Sequence, residues 1–255
     1  MYPTLPFGPL ALPTGPILTI LAVMLTLDIA GRMGRRHGLH PDDLWNVGLI
    51  ALAAGLIVAR LWNVFQFWYI YGSEPLLIFS IRPSGFAFWP GVVAALLGAY
   101  GYMLRRALDP IVVTAALLTG AAAGSVVMGI AGYATGSVLG AVGDAPTALL
   151  YFGELRHPVG LYRAVGGILL TVVLWWSADP RRPGRTVLLA LLGFSLIYLV
   201  GDAFLAPGPA VAGIRISQIV ALLVALATTW QLARAGSAAA DAPAPLGDPE
   251  SAPQR

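Results

Sequence analysis

Apolar residues in this chain neither alternate nor recur as a stripe. They run in blocks of Leu, Val, Ala, Ile, Gly and aromatic residues, cut by short breaks that carry arginine or proline. A helix needs roughly 20 mostly apolar residues to cross a bilayer. Seven blocks fit: 16–31, 44–69, 85–104, 110–131, 158–177, 185–205 and 214–232, the first short and extended in this reading back toward Leu10. Backbone groups in hydrocarbon must pair internally, so each block is predicted to be a helix. The second ends in NVFQFWYIY, whose rings favour the headgroup level. The expected fold is an all-α membrane protein with seven transmembrane helices. Residues 1–234 form its membrane domain, and the Ala/Pro-rich stretch 235–255 is read as a disordered tail. The first block lacks a basic lead and a clear cleavage site, so it reads as a retained span rather than a signal peptide.

Arginine placement gives a direction. Arg32, Arg35 and Arg36, then Arg105 and Arg106, then Arg181, Arg182 and Arg185, then Arg234 follow the odd-numbered blocks. The alternate breaks hold only Arg82, Arg156 and Arg215. The richer set belongs on the cytoplasmic side, which puts the N-terminus outside and the C-terminus in the cytoplasm. Composition agrees: 58% of residues are hydrophobic and 11% charged, against about a quarter charged in soluble domains. The net charge of +3 comes from arginines in short breaks and is no sign of nucleic acid. The chain has no cysteine, which excludes disulfides, thiolate metal sites, iron–sulfur clusters and thiol catalysis. No phosphate-loop, zinc-protease or serine-hydrolase motif is present, so neither a cofactor nor a metal is expected.

Polar groups inside apolar blocks need a reason. Arg60 lies in GLIVARLWNVFQFW, where its guanidinium suits either a headgroup phosphate or a structural pair with Asp202 or a helix-end carbonyl. In ELRHPVGLYRAVGG, Pro158 suits a first helical turn, with Tyr162 and Arg163 one turn further on. His157 there can act as a base near neutral pH, or simply donate a loop hydrogen bond. Asp202 falls near the end of the sixth block, and Arg215, Ser217 and Gln218 open the seventh. All of these share one predicted depth, in the outer half of the membrane. They form a polar outer-leaflet cavity or, in the plainer reading, ordinary interfacial polarity. Asp42 or Asp43 is expected to cap the second helix.

The order of these pieces resembles the prolipoprotein diacylglyceryl transferase family over roughly residues 13–234. The stretch GLIVARLWNVFQFWYIYGSEP is similar to the family's glycine–arginine segment, with Arg60 as its arginine. RHPVGLY resembles a family segment through Arg156, His157, Pro158, Leu161 and Tyr162, and ISQIVALL matches the start of its last helix through Ser217 and Gln218. Asp202 falls near a family glutamate. The resemblance implies a bacterial inner-membrane enzyme that moves diacylglyceryl from phosphatidylglycerol to the lipobox cysteine thiol of a preprolipoprotein. It implies His157 and Tyr162 as catalytic residues, with Arg60, Asp202 and Gln218 binding substrate; Arg163 and Arg215, at the same predicted depth, are expected to bind substrate beside them.

Several family positions differ. The third-helix histidine falls on Trp89, and the signature arginine and asparagines fall on Ser125, Met128 and Ala131. The signature glutamate falls on Tyr133, and the sixth-helix arginine near Tyr198. These losses predict little transfer by the ordinary family mechanism. The alternative is a catalytically degenerate lipid-binding or assembly protein on the same scaffold.

Overall fold

The computed structural model describes residues 4–7, 10–79, 85–208 and 214–240. A hairpin of β1 (Thr4–Phe7) and β2 (Leu10–Pro13) leads into α1 (Thr14–Arg36) and α2 (Pro41–Gln66). A single turn, α3 (Trp68–Tyr71), and a 3-10 turn (Pro75–Phe79) connect to α4 (Phe88–Arg105) and α5 (Pro110–Thr135). A second hairpin, β3 (Leu149–Tyr151) and β4 (Glu154–Arg156), precedes α6 (Val159–Ser177), α7 (Pro183–Ala203) and α8 (Ile216–Ala240).

The protein is a mostly helical, multi-pass membrane protein. Among the described residues, six helices are long and apolar enough to cross a membrane: α1, α2, α5, α6, α7 and α8. The remaining long helix, α4, is 18 residues and carries Trp89, Pro90, Tyr100, Tyr102 and Arg105, which dilute its apolar content. Large apolar side chains such as Ile57, Leu97, Leu169, Trp176 and Leu223 are at least half exposed. In water that would be a liability, but in a bilayer it is the lipid contact.

Element ends differ from the sequence expectation for local reasons. α1 extends forward to Arg36 rather than back to Leu10, because residues 10–13 pair as a strand. α2 stops at Gln66, and the aromatic run breaks into the separate turn α3. α8 continues through Ala240, so the first residues assigned to the tail are helical; the rest of that tail, and Arg82, lie outside the described residues. Neither aspartate caps α2. His40 does so through Nδ1, which accepts from the Asp42 N–H at 3.4 Å. Asp43 is buried and pairs with Arg106 at 3.3 Å.

α5 is the central helix and packs on α1, α6 and α7. Its seams are small residues. A methyl placed on Gly129 would lie 2.5 Å from the Gly160 carbonyl of α6, so the two backbones touch as small-residue membrane crossings do. α2 pairs with α4, and α7 with α8. At the bundle end that carries the α1 C-terminus, Met33, Leu44, Val47, Met103 and Val113 form a buried cluster. Arg36 closes that end by donating to the Trp175 carbonyl at 2.7 Å and lying over its ring.

His37 sits just beyond α1 with both ring nitrogens buried and without hydrogen-bond partners. Burial holds its pKa below the ordinary 6.5; Asp179 favours the cation, Arg36 opposes it, and the Pro180 carbonyl favours it without forming a geometric hydrogen bond. The unfolded chain therefore takes up this proton first on acidification. Stability is intact above the ordinary value and is lost as pH falls through the lowered folded value. As pH falls below the ordinary 6.5, His37→Gln should flatten part of the fall in melting temperature. A parallel fall in both proteins would refute this role.

Candidate active site

Three helix ends meet around Asp202. The carboxylate lies in the last turn of α7 and is 4% exposed. Arg163, in the opening turns of α6, donates from Nη2 to Oδ1 at 2.5 Å. Ser217, in the first turn of α8, donates from Oγ to Oδ2 at 2.5 Å. Both carboxylate oxygens are thus engaged, the condition under which a buried ion pair offsets its desolvation. The guanidinium also lies 4.9 Å from the centre of the Tyr198 ring. Its Nε is buried and has no hydrogen-bond partner.

Arg163 faces a cavity of about 260 Å3 between α1, α5, α6 and α7. Thr19, Ser125, Met128, Ala131, Gly132, Thr135, Ser137 and Tyr198 contribute to its wall. Arg163 is the one charged side chain among the described lining residues.

His157 and Tyr162 form a neighbouring but separate group. His157 Nδ1 lies 3.2 Å from the Tyr162 hydroxyl, which is 2.6 Å from Thr147 Oγ1. The imidazole packs against Phe204 with ring centres 4.9 Å apart. The His157 N–H donates to Ala141 at 3.1 Å, which ties the loop after α5 across the entrance of α6. The space beside His157 is only about 10 Å3. Next to it, the Tyr151 hydroxyl donates to the Tyr133 carbonyl at 2.6 Å, and burial raises its pKa above the ordinary 10.0.

Arg215 and Gln218 stand on the far side of Asp202. The Arg215 N–H donates to Gln218 Oε1 at 3.2 Å. Its guanidinium donates to the Leu205 carbonyl at 3.2 Å and to that of Ala206. With Asp202 they line a second space of about 320 Å3.

Arg60 does not join this cluster, and it does not pair with Asp202. Nε donates to the Ile78 carbonyl at 2.9 Å, Nη1 to Gly85 at 2.8 Å, and Nη2 to Leu77. Tyr71 adds a contact to Nη1 at 3.3 Å and itself donates to the buried Asn63 at 3.1 Å. The connection from α2 to α4 folds back so far that the Ala87 N–H reaches the Ala59 carbonyl. Irregular backbone beside a span needs donors from the protein, and Arg60 supplies them.

The family model described as prolipoprotein diacylglyceryl transferase matches residues 4–234. The chain belongs to this family. Relatives named phosphatidylglycerol–prolipoprotein diacylglyceryl transferase include one from Clostridioides difficile, 22% identical over 81% of this chain and 84% of the relative. Another, from Chromohalobacter salexigens, is 29% identical over 82% of each chain. A third, from Synechococcus elongatus, is 24% identical over 85% of this chain and 81% of the relative. In this member of the prolipoprotein diacylglyceryl transferase family, the substituted positions Ser125, Met128, Ala131 and Tyr198 all border the Arg163 cavity. Trp89 and Tyr133 do not: Trp89 is exposed on α4, and Tyr133 lines the small space beside His157. Sequence reasoning missed Thr19, Thr135 and Ser137, because single hydroxyls in apolar or loop segments carry no pattern. Of the partners it offered Arg60, Asp202 is taken by Arg163 instead, and backbone carbonyls are what Arg60 meets.

Proposed function

We propose that the protein is a phosphatidylglycerol–prolipoprotein diacylglyceryl transferase of the bacterial inner membrane. It has seven spans, α4 included, with the N-terminus outside, the Arg163 cavity in the outer leaflet, and residues beyond 234 in the cytoplasm. The observation that carries this reading is the match of the family model to residues 4–234, in a chain that holds Arg163 against a cavity whose other described lining residues carry no charge. Curated relatives matched over four-fifths of the chain favour it over the degenerate alternative.

The chemistry joins the cysteine sulfur to the diacylglyceryl carbon and breaks that carbon's bond to the phosphate oxygen. Glycerol phosphate leaves with the electron pair, and the thiol proton passes to a base. Arg163 is placed to stabilise the departing phosphate. His157, oriented by Tyr162, is the proposed base, with the loop across its entrance moving to admit the thiol. Arg215, Gln218 and Asp202 form the flank of the same site.

Purified protein given phosphatidylglycerol and a lipobox peptide should form the diacylglyceryl peptide, detected by mass. Arg163→Ala should lower the rate by about a hundredfold or more, the usual effect of losing one oriented donor. Phosphatidylglycerol binding without any product would sink the transferase reading and favour the lipid-binding alternative.

A further inference from the structure

At the other end of α6 from Arg163, two basic segments meet. Arg35 and Arg36 stand in the last turn of α1, and Arg181, Arg182 and Arg185 lead into α7. The segments are in contact. Arg36 donates to the Trp175 carbonyl at 2.7 Å, and His37 lies beside Asp179 and Pro180 in the turn between α6 and α7. Hydrogen bonds hold that turn in shape. Asp179 Oδ1 accepts from the Arg181 N–H at 2.9 Å, the Asp179 carbonyl from Arg182 at 3.0 Å, and the Arg182 carbonyl from Arg185 at 3.0 Å.

Charge at this corner is not balanced from within. All five arginines are exposed. Elsewhere at this end of the bundle, Arg32 pairs with Asp28 at 2.9 Å and Arg106 with Asp43 at 3.3 Å. Among the described residues, no carboxylate pairs with any of the five. The first turn of α7 holds no acid either, although cations are disfavoured at that end of a helix. An external anion relieves this repulsion. Trp176, 82% exposed in the last turn of α6, sets the level of the corner, because an indole in that setting favours the headgroup boundary. The anion found at that level is a lipid phosphate.

We propose that this corner binds an acidic phospholipid of the cytoplasmic leaflet and favours a headgroup with two phosphates. One phosphate sits on Arg35 and Arg36, the other on Arg181, Arg182 and Arg185, and Trp176 packs beside the glycerol backbone. Guanidinium forks meet phosphate oxygens two at a time, and two banks on separate elements suit two phosphates better than one. The site stands apart from the transferase chemistry; only its leaflet rests on the topology proposed above.

The chain has no cysteine, and a Cβ on Gly184 meets nothing within 4 Å, so Gly184→Cys can carry a single environment-sensitive fluorophore beside the corner. The labelled full chain in detergent is titrated with diphosphatidylglycerol, phosphatidylglycerol and phosphatidylcholine of identical acyl chains, and with inorganic phosphate. Diphosphatidylglycerol should bind about tenfold more tightly than phosphatidylglycerol, whereas phosphatidylcholine and inorganic phosphate should give no saturable change. Arg181→Gln combined with Arg182→Gln, at exposed positions where folding tolerates change, should weaken diphosphatidylglycerol by about tenfold or more. Arg35→Gln should remove most of the preference for two phosphates. Arg105→Gln, exposed at the end of α4, should leave the affinity within about twofold, since screening confines each arginine to its own surroundings. An equal loss from Arg105→Gln, phosphatidylcholine bound as tightly as the acidic lipids, or inorganic phosphate matching them overturns the site. Equal affinity for the one-phosphate and two-phosphate lipids overturns the preference. An impermeant thiol reagent should leave the introduced thiol unmodified in intact cells; modification there overturns the leaflet, independently of the binding measured in detergent.

Discussion

Asp202→Ala is expected to lower the unfolding free energy by about 3–5 kcal/mol, because it strands a guanidinium in a buried place. The carboxylate is 4% exposed and takes hydrogen bonds from both Arg163 and Ser217, so its removal also loosens α6 and α8 from the end of α7. Asp202→Asn should fall between the parent and the alanine variant, since an amide can still accept from Ser217. The double variant Arg163→Met with Asp202→Leu should regain most of the stability, as apolar replacements of buried ion pairs often do, yet form no product. Chemical unfolding in detergent and the peptide assay read the two effects separately. An Asp202→Ala protein as stable as its parent would show that the pair does not hold these helices.

Arg60→Ala should cost at least about 3 kcal/mol, since three backbone carbonyls lose a charged donor at once. The damage should be local. Hydrogen exchange ought to rise around residues 75–79 and 85–87, with the far end of the bundle unaffected. Lysine should rescue little, because the three carbonyls are met by three different guanidinium nitrogens, an arrangement that a single ammonium does not reproduce. A folded Arg60→Ala protein should bind phosphatidylglycerol as its parent does, because the donors of Arg60 are occupied by the chain itself. Lost lipid affinity with a normal exchange pattern would return Arg60 to the binding site.

Span positions could be read from the sequence because the cost of unpaired backbone in lipid is uniform and large, so long apolar blocks have little choice but to be helices. Their ends were harder to read. The boundary of α1 depends on strand pairing at residues 10–13, and that of α2 on where an aromatic run leaves the helix. In the site, Arg163, Asp202, Arg215 and Gln218 stood out because charged or amide groups are rare near spans. Their pairing did not, since Arg60 and Arg163 sit at similar distances from their helix ends and only the packing of α6 against α7 chooses between them.

The partners of Arg60 also bear on how the chain enters the membrane. A lone arginine within a span opposes insertion, by up to about 2.5–3.5 kcal/mol at the helix centre and by less toward the end where Arg60 lies. The residues that receive its hydrogen bonds lie only 11 to 25 positions further along the chain. They leave the ribosome soon after the arginine does, well before α5 to α8 exist. α2 and α4 are therefore best delivered to the bilayer together, as one hairpin with its connecting turn already closed on the guanidinium. If the pair is delivered one helix at a time, the first must hold its charge against lipid until the second arrives.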